Sequence, residues 1–280
     1  MPSYLEEYKC KVETLSPIHI GDGGRLTAID YIYYMNRVFV IDHNKLYEEL
    51  ESRKLVDEFI KYVEGATSRK TLEDFLERYR LLDSSIIVRA SSYNTSFISK
   101  RKESIEITTC IKDLEKRPYI PGSEIKGTVR VALLYDLLSR GSNVRKVIER
   151  LKSNVLDSED VDIFLRPRIK EATGDLGRLI RFSDSEPIDK VAVAGMYRVS
   201  TKTREVIPLT LTEIIPQDTS TSLKLTIVNE ERIIEELGSN LSIERIIDAC
   251  RFKSRKIIEL EKNRIDRALK EASSTSVYTD

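Results

Sequence analysis

A chain of 280 residues, 40% of them apolar, has material for one large domain or two modest ones with a packed core. Its 46 basic and 46 acidic residues cancel, so bulk charge gives no basis for nucleic-acid binding, and any such site must be a local basic groove. The run Val129 to Leu138 is interrupted by Asp136 and falls far short of the roughly 20 residues of a membrane span, and the acidic start with Glu6 and Glu7 does not read as a signal peptide. No membrane partner and a cytoplasmic location are expected.

Cys10, Cys110 and Cys250 are too few and too widely spaced for a disulfide framework or a zinc-ligand pair, and read as small buried hydrophobes. In chain order, Lys9 to Leu15 reads as a first strand. A glycine-rich loop, Gly21 to Gly24, follows, and then a hairpin of Ala28 to Tyr34 and Val38 to Ile41 turning at Asn36. From Asn44 to Leu82 the apolar period becomes helical, with a break near Gly65. Strand signals return at Ile86 to Arg89 and at Ser104 to Ile111.

Pro118 to Gly122 reads as a turn delivering a helix whose apolar face is Ile125, Val129, Ala132, Leu133 and Leu137, with a second helix ending near Ser153. Asn154 to Gly177 has no sustained period and reads as a long mobile loop. Further strands are expected at Leu179 to Phe182, Val191 to Val199, Val206 to Ile215 and Leu223 to Val228, before helices from Glu230 onward, the last over about Ser242 to Ala272. The expected division is a discontinuous core of residues 1–43 and 84–230, a helical insertion of 44–83 and a helical region of 231–280.

Three stretches can carry chemistry. In Pro118 to Arg130, Ser123 suits a helix N-cap and Pro121 and Gly122 a tight turn into it. The first helical N–H groups lack intrahelical partners and can bind an anion. Lys126 and Arg130 are four residues apart and share a face, with Gly127 beside them allowing another backbone to come close; a solvated, merely capped helix is the plainer alternative. In Leu15 to Gly24, extended with Arg25, the glycines Gly21, Gly23 and Gly24 tolerate positive φ and close approach. His19 there is an RNA contact, a general base or a structural histidine. Asp22 and Asp30 are either metal ligands or ordinary turn residues, and neither a dinucleotide fingerprint nor a P-loop occurs.

In Leu179 to Pro187, Arg181 precedes Ser183, Asp184 and Ser185, small polar groups suited to a 2′-hydroxyl or to a plain Asx-turn. The last helix mixes Arg245, Arg251, Lys253, Arg255, Lys256, Lys262 and Arg264 with Glu244, Glu259 and Glu261, and reads as a docking or solvated helix before an RNA-binding one.

In this order, TLSPIHIGDGG, DYIYYMNRVFVIDHNKL, PYIPGSEIKGTVRVALL and RFSDSEP resemble the RAMP superfamily of CRISPR-associated proteins, specifically its fifth Csm protein, over about Tyr8 to Ile227. In RAMP backbone subunits the PGSSxKG segment follows soon after HIG; here a helical insertion separates them, as in the capping member of type III-A Csm complexes. The resemblance implies an α+β fold, a ferredoxin-like, RRM-related βαββαβ core with helical insertions and C-terminal helices. Lys9 to Leu15 would be its first strand and Ser123 to Leu138 its first helix.

It implies binding near the 3′ end of crRNA, packing on the last backbone subunit and on a small helical subunit, and a role in crRNA maturation, with host maturation nucleases as further partners. His19, Gly21, Lys126, Gly127 and Arg130 carry over as RNA-contacting or RNA-supporting, in a groove where the RNA strand crosses the helix start opposite the glycine stretch. The full RNA-binding set expected is His19, Gly21, Gly23, Gly24, Arg25, Gly122, Ser123, Lys126, Gly127, Arg130, Arg181, Ser183 and Asp184. Glu124 replaces the family's second Ser of PGSS and puts a carboxylate at the helix start, which suits the macrodipole but repels a close phosphate.

No cofactor is expected for such a non-catalytic subunit. An endoribonuclease stays open beside it. In the resembling backbone subunits an aspartate after HIG serves metal-dependent cleavage. Asp30 stands at a comparable place, with Asp22 as another candidate and Mg2+ as the ion. In metal-free RAMP nucleases a histidine acts, for which His19 would stand. A third reading is a purely structural subunit docked through its last helix.

Overall fold

The computed structural model describes residues 5–65, 70–98, 106–139, 149, 176–200, 205–228 and 241–275. Residue-by-residue alternation of exposure makes Leu5–Glu13 a strand (β1). Gly21 to Gly24, expected as a loop, lies in a strand, Gly21–Leu26 (β2): it pairs with a later strand through a register irregularity between Gly21 and Arg25, and Gly23, at φ +83°, absorbs the distortion. Tyr31–Tyr34 (β3) and Arg37–Ile41 (β4) form a hairpin over Met35 and Asn36, both at positive φ, as a two-residue type I′ turn requires. Asp30 precedes this hairpin in a turn, outside the strand expected from Ala28.

Helices follow, as the period from Asn44 predicts, but the segment expected before Gly65 is split in two, giving His43–Glu51 (α1), Val56–Glu64 (α2) and Leu72–Arg78 (α3). Asp42 caps α1 by accepting from Asn44 and Lys45, and Thr71 and Asp74 form a reciprocal capping box on α3. Ile86 to Arg89, expected as a strand, lies in a helix, Ser84–Ala90 (α4). Asp83 caps it through Ser85 N–H at 2.8 Å, and Ile86, Ile87 and Ala90 recur at helical spacing on the buried face; a short apolar run cannot declare its own period.

Ser91–Phe97 (β5) and Ile107–Cys110 (β6) resume the sheet, and Gly122–Leu138 is the next helix (α5). A 3-10 turn, Leu176–Leu179, leads into Ile180–Phe182 (β7), followed by Ala192–Val199 (β8), Val206–Ile214 (β9), Ser220–Val228 (β10) and Ile243–Thr275 (α6). The helix expected to end near Ser153 and the loop from Asn154 lie almost wholly outside the described residues, as does the start of the helical region after Glu230.

The chain divides into two compact units interleaved in sequence, one of Met1–Lys11, Pro121–Ser185 and Ser222–Asp280, the other of Val12–Ile120 and Glu186–Thr221. In the first, the sheet order is β1-β10-β7, with β10 antiparallel to β7 and Leu225 opposite Phe182. One helix, α5, follows the first strand, and another, α6, follows the strand between the other two. This is the strand placement of a ferredoxin-like split βαβ arrangement. Val129 and Leu133 of α5, Ile180, Leu225 and Ile227 of the sheet, and Ile246 and Ala249 of α6 form its core.

The second unit is a seven-stranded sheet, β2-β6-β9-β8-β5-β4-β3, with parallel pairs β5·β8 and β6·β9. Alternation along β4 feeds two cores. Phe39 and Ile41 join Leu46, Leu50, Phe75, Leu76 and Ile87 of the helices, whereas Val38 and Val40 join Tyr31, Ile107, Val193 and Leu211. The helices expected at 44–83 therefore share a core with β3 and β4, which precede them, and with α4, and the expected core segment 84–230 contributes to both units. Among the described residues no helix is long and apolar enough to cross a membrane.

Candidate nucleic-acid interface

The expected contact residues fall into two clusters, one in each unit. In the first unit, helix α5 begins earlier than the Ser123 cap predicts. The carbonyl of Pro121 accepts from Glu124 and Ile125, which puts Pro121 at the cap position and Gly122 and Ser123 in the first turn. A proline side chain cannot cap. Asp184 does so from a distant part of the chain: its Oδ1 accepts the Gly122 N–H at 2.8 Å. A carboxylate is thereby already placed at the positive end of the helix, at one of the amides expected to await a phosphate.

Gly122 is demanded by this contact. A Cβ there would stand 2.3 Å from the Phe182 carbonyl and 2.7 Å from that of Ser183, so the glycine admits the end of β7 and does not open space for a ligand. Ser183 is likewise engaged internally: its hydroxyl accepts from Lys224 N–H and donates to the Asp184 carbonyl, both at 2.9 Å. Arg181 is exposed on β7 opposite Thr226.

One turn further along α5 the surroundings are different. Gly127 is exposed, and among the described residues no atom outside the helix's own backbone lies within 4 Å of the place a Cβ would take. Lys126 and Arg130 are half-buried on the same helix. Glycine inside a helix costs about 1 kcal/mol relative to alanine. Among the described residues, packing does not call for it here.

In the second unit, the glycine strand β2 lies at the edge of the seven-stranded sheet. His19 is exposed, and its Nδ1 donates to the Glu213 carbonyl at 2.8 Å. Gly21 lies under the same ring: a Cβ on it would meet His19 Nε2 at 3.0 Å. Gly24 is required by Thr109, whose hydroxyl would be 2.5 Å from an added Cβ. Arg25 pairs with Glu106 at 3.2 Å, both side chains mostly exposed.

The two candidate metal ligands are occupied by the protein. Asp22 Oδ1 accepts from Gly24 N–H at 2.8 Å and from the Thr109 hydroxyl at 2.6 Å. Burial raises its pKa, but these bonds and the Lys112 charge outweigh that and hold the carboxyl below its ordinary value. Asp30 Oδ2 accepts from the Thr27 N–H and hydroxyl, both at 2.7 Å, and Oδ1 faces His43 Nε2 at 2.8 Å. Burial again opposes its ionisation, and the Thr27 bonds and His43 prevail. Among the described residues, no three His, Cys, Asp or Glu side chains gather as a metal site.

A cluster that sequence reading missed lies behind β2. Glu213, fully buried on β9, accepts the Tyr93 hydroxyl at 2.6 Å and the Cys110 N–H at 2.9 Å, and is ion-paired with Lys112, which is itself only 9% exposed. The Lys112 ammonium also donates to the Cys110 carbonyl at 3.1 Å and stands 5.0 Å from the Tyr93 ring centre. Burial and the Glu213 charge push the Tyr93 phenol far up and the Cys110 thiol up to about 12, so neither ionises in ordinary conditions. With Asp22, Leu26, Val40 and Thr109, Tyr93 and Lys112 line an open cleft of about 460 Å³. A lone glutamate in the apolar and threonine strand LTLTEII was the available signal. Of the three cysteines, Cys110 is buried as expected and Cys10 and Cys250 are half-buried.

The strand placement of the first unit, together with this pattern of glycines, histidine and capped basic helix, defines an α+β protein with a ferredoxin-like core. The chain belongs to the RAMP superfamily, whose family model matches residues 11–277. It is similar to the "CRISPR system Cms protein Csm5" of Streptococcus thermophilus, at 28% identity over 85% of this chain and 69% of that protein. Across the curated relatives it matches, the chain spans from 42% to 69% of their own length. In fold it resembles the crystal structure of the T. onnurineus Csm5, with a TM-score of 0.75 and 20% identity over 92% of this chain and 82% of that one. It also resembles a chain of the cryo-EM Csm-crRNA-target RNA ternary complex of a type III-A CRISPR-Cas system, with a TM-score of 0.60 and 23% identity over 80% of this chain and 64% of that one.

Proposed function

We propose that this protein is a non-catalytic RNA-binding subunit of a type III-A Csm ribonucleoprotein, capping its backbone near the 3′ end of crRNA and supporting crRNA maturation. Membership in the RAMP superfamily and similarity to Csm5 proteins support the assembly. The observation that carries RNA binding is Gly127: a helix-interior glycine, exposed, beside Lys126 and one turn before Arg130, with open space where its side chain would be. A sugar-phosphate backbone can approach such a helix more closely than any face bearing a Cβ, with two cations beside it to neutralise phosphates. The glycine strand of the second unit offers the same closeness at Gly23, where no described residue lies within 4 Å of an added Cβ.

Asp22 and Asp30 are each held by hydrogen bonds from their own turns and take no part in cleavage in this reading, which needs no cofactor. Partners in this reading are crRNA, the last backbone subunit and the small helical subunit. Host maturation nucleases act on the RNA that this subunit presents. The test is crRNA retention in the purified complex at several salt concentrations. Lys126→Ala with Arg130→Ala is expected to lower retention and reduce the slope of log affinity on log salt by about 1 to 2. Unchanged retention and slope would remove the α5 contact from the proposal.

A further inference from the structure

The tautomer of His19 is set by its anchor. The Glu213 carbonyl can only accept, so Nδ1, at 2.8 Å, must carry the proton, and a neutral His19 leaves Nε2 as a bare acceptor. The anchor is rigid because its own side chain is fully buried, tied to the Tyr93 hydroxyl at 2.6 Å, to the Cys110 N–H at 2.9 Å and to Lys112. The ring is exposed, and the residue beside Nε2 is Gly21, where a Cβ would stand 3.0 Å from that nitrogen. A fixed acceptor on the surface, kept clear by a glycine, can exchange water for a donor on a bound molecule.

The backbone of a nucleic acid presents few donors. Phosphate and ring oxygens only accept; the ribose 2′-hydroxyl is the single group on the sugar-phosphate chain that can donate, and DNA lacks it. We propose that His19 Nε2 accepts a hydrogen bond from one ribose 2′-hydroxyl, so that His19 is a sugar-discriminating residue and the Glu213, Tyr93 and Lys112 cluster positions it. This rests on the RNA-binding reading above and names which chemical group of the RNA the glycine strand reads.

The experiment measures binding of the full chain at pH 8. The probes are a fluorescent single-stranded RNA oligonucleotide, the DNA of the same sequence, and RNAs carrying one 2′-fluoro substitution at successive positions. Fluorine keeps the ribose pucker and removes the donor. The wild-type chain is expected to lose affinity by about 3- to 10-fold at one position, the value of one hydrogen bond. His19→Asn keeps a donor toward the Glu213 carbonyl and has no group at Nε2; it should bind all the RNAs alike. Gly21→Ala, which crowds Nε2, should do the same by an independent route.

Sensitivity to 2′-fluoro that persists in both variants overturns the assignment to His19. RNA binding that responds to Lys126→Ala with Arg130→Ala but shows no 2′-fluoro effect at any position overturns this inference and leaves the RNA-binding reading standing. Failure of the chain to bind RNA at all overturns both.

Discussion

The Asp184 carboxylate accepts the first amide of α5, from Gly122, at 2.8 Å, although the two residues are 62 apart in sequence. It provides the capping that Pro121 cannot, and it ties the end of β7 to the start of the helix. Asp184→Ala is therefore expected to destabilise the protein by about 1 kcal/mol, within the ordinary range for loss of a cap, and Asp184→Asn by less. Thermal or urea unfolding of the two variants measures this; equal stability of the alanine variant and the wild type would show that the amide is satisfied in another way.

The two glycines of α5 should respond oppositely to alanine. At Gly122 the added methyl would stand 2.3 Å from the Phe182 carbonyl, so Gly122→Ala must push β7 away and is expected to cost about 1 to 3 kcal/mol or more. At Gly127 no described residue stands in the way, and Gly127→Ala is expected to stabilise the fold by about 0.5 to 1 kcal/mol while weakening RNA retention. A variant stabilised with full RNA retention would show that the open space over Gly127 has no role in binding.

Glu213→Ala leaves the Lys112 ammonium buried beside the Tyr93 ring without its counter-charge. Removal of one partner of a buried pair costs about 3 to 5 kcal/mol, and replacing both by apolar residues of similar volume recovers most of it. Glu213→Leu with Lys112→Met should thus be more stable than Glu213→Ala alone, in chemical denaturation followed by circular dichroism. A single variant as stable as wild type would show that water reaches Lys112.

Acid should act partly through Asp30. Its folded pKa lies below the ordinary carboxylate value of 3.8, because the Thr27 bonds and His43 outweigh burial. Its contribution to stability is complete above that unfolded value and is lost as the pH falls through the lower folded one. Asp30→Asn should be less stable than wild type near neutrality and approach it below about pH 3 to 4. Melting temperatures of the pair, taken between pH 7 and pH 2.5, test the convergence; parallel curves would exclude it.

Much of the element order is legible in the chain. The helical period from Asn44, the turn at Asn36, and the strands at Val206 and Leu223 are each written in neighbours no more than a few residues apart, where sterics and burial impose a single repeat. Ile86 to Arg89 reads as a strand because its three apolar residues fit either repeat, and the Asp83 cap and the helices that share its core decide for a helix. Gly21 to Gly24 reads as a loop because a glycine-rich stretch shows no strand pattern until a partner strand supplies its ladder, as β6 does.

Sequence alone determined the family pattern, the chemistry available in its glycines, His19 and the Lys126 and Arg130 pair, and most of the repeating backbone, since these depend on residue type and short-range spacing. Tertiary structure alone decided that Asp184 completes the start of α5, that Glu213 pairs with Lys112 across 101 positions, and that the glycine strand and the basic helix belong to separate compact units. Pairings between distant segments follow from which surfaces can be buried together, and no local repeat encodes them.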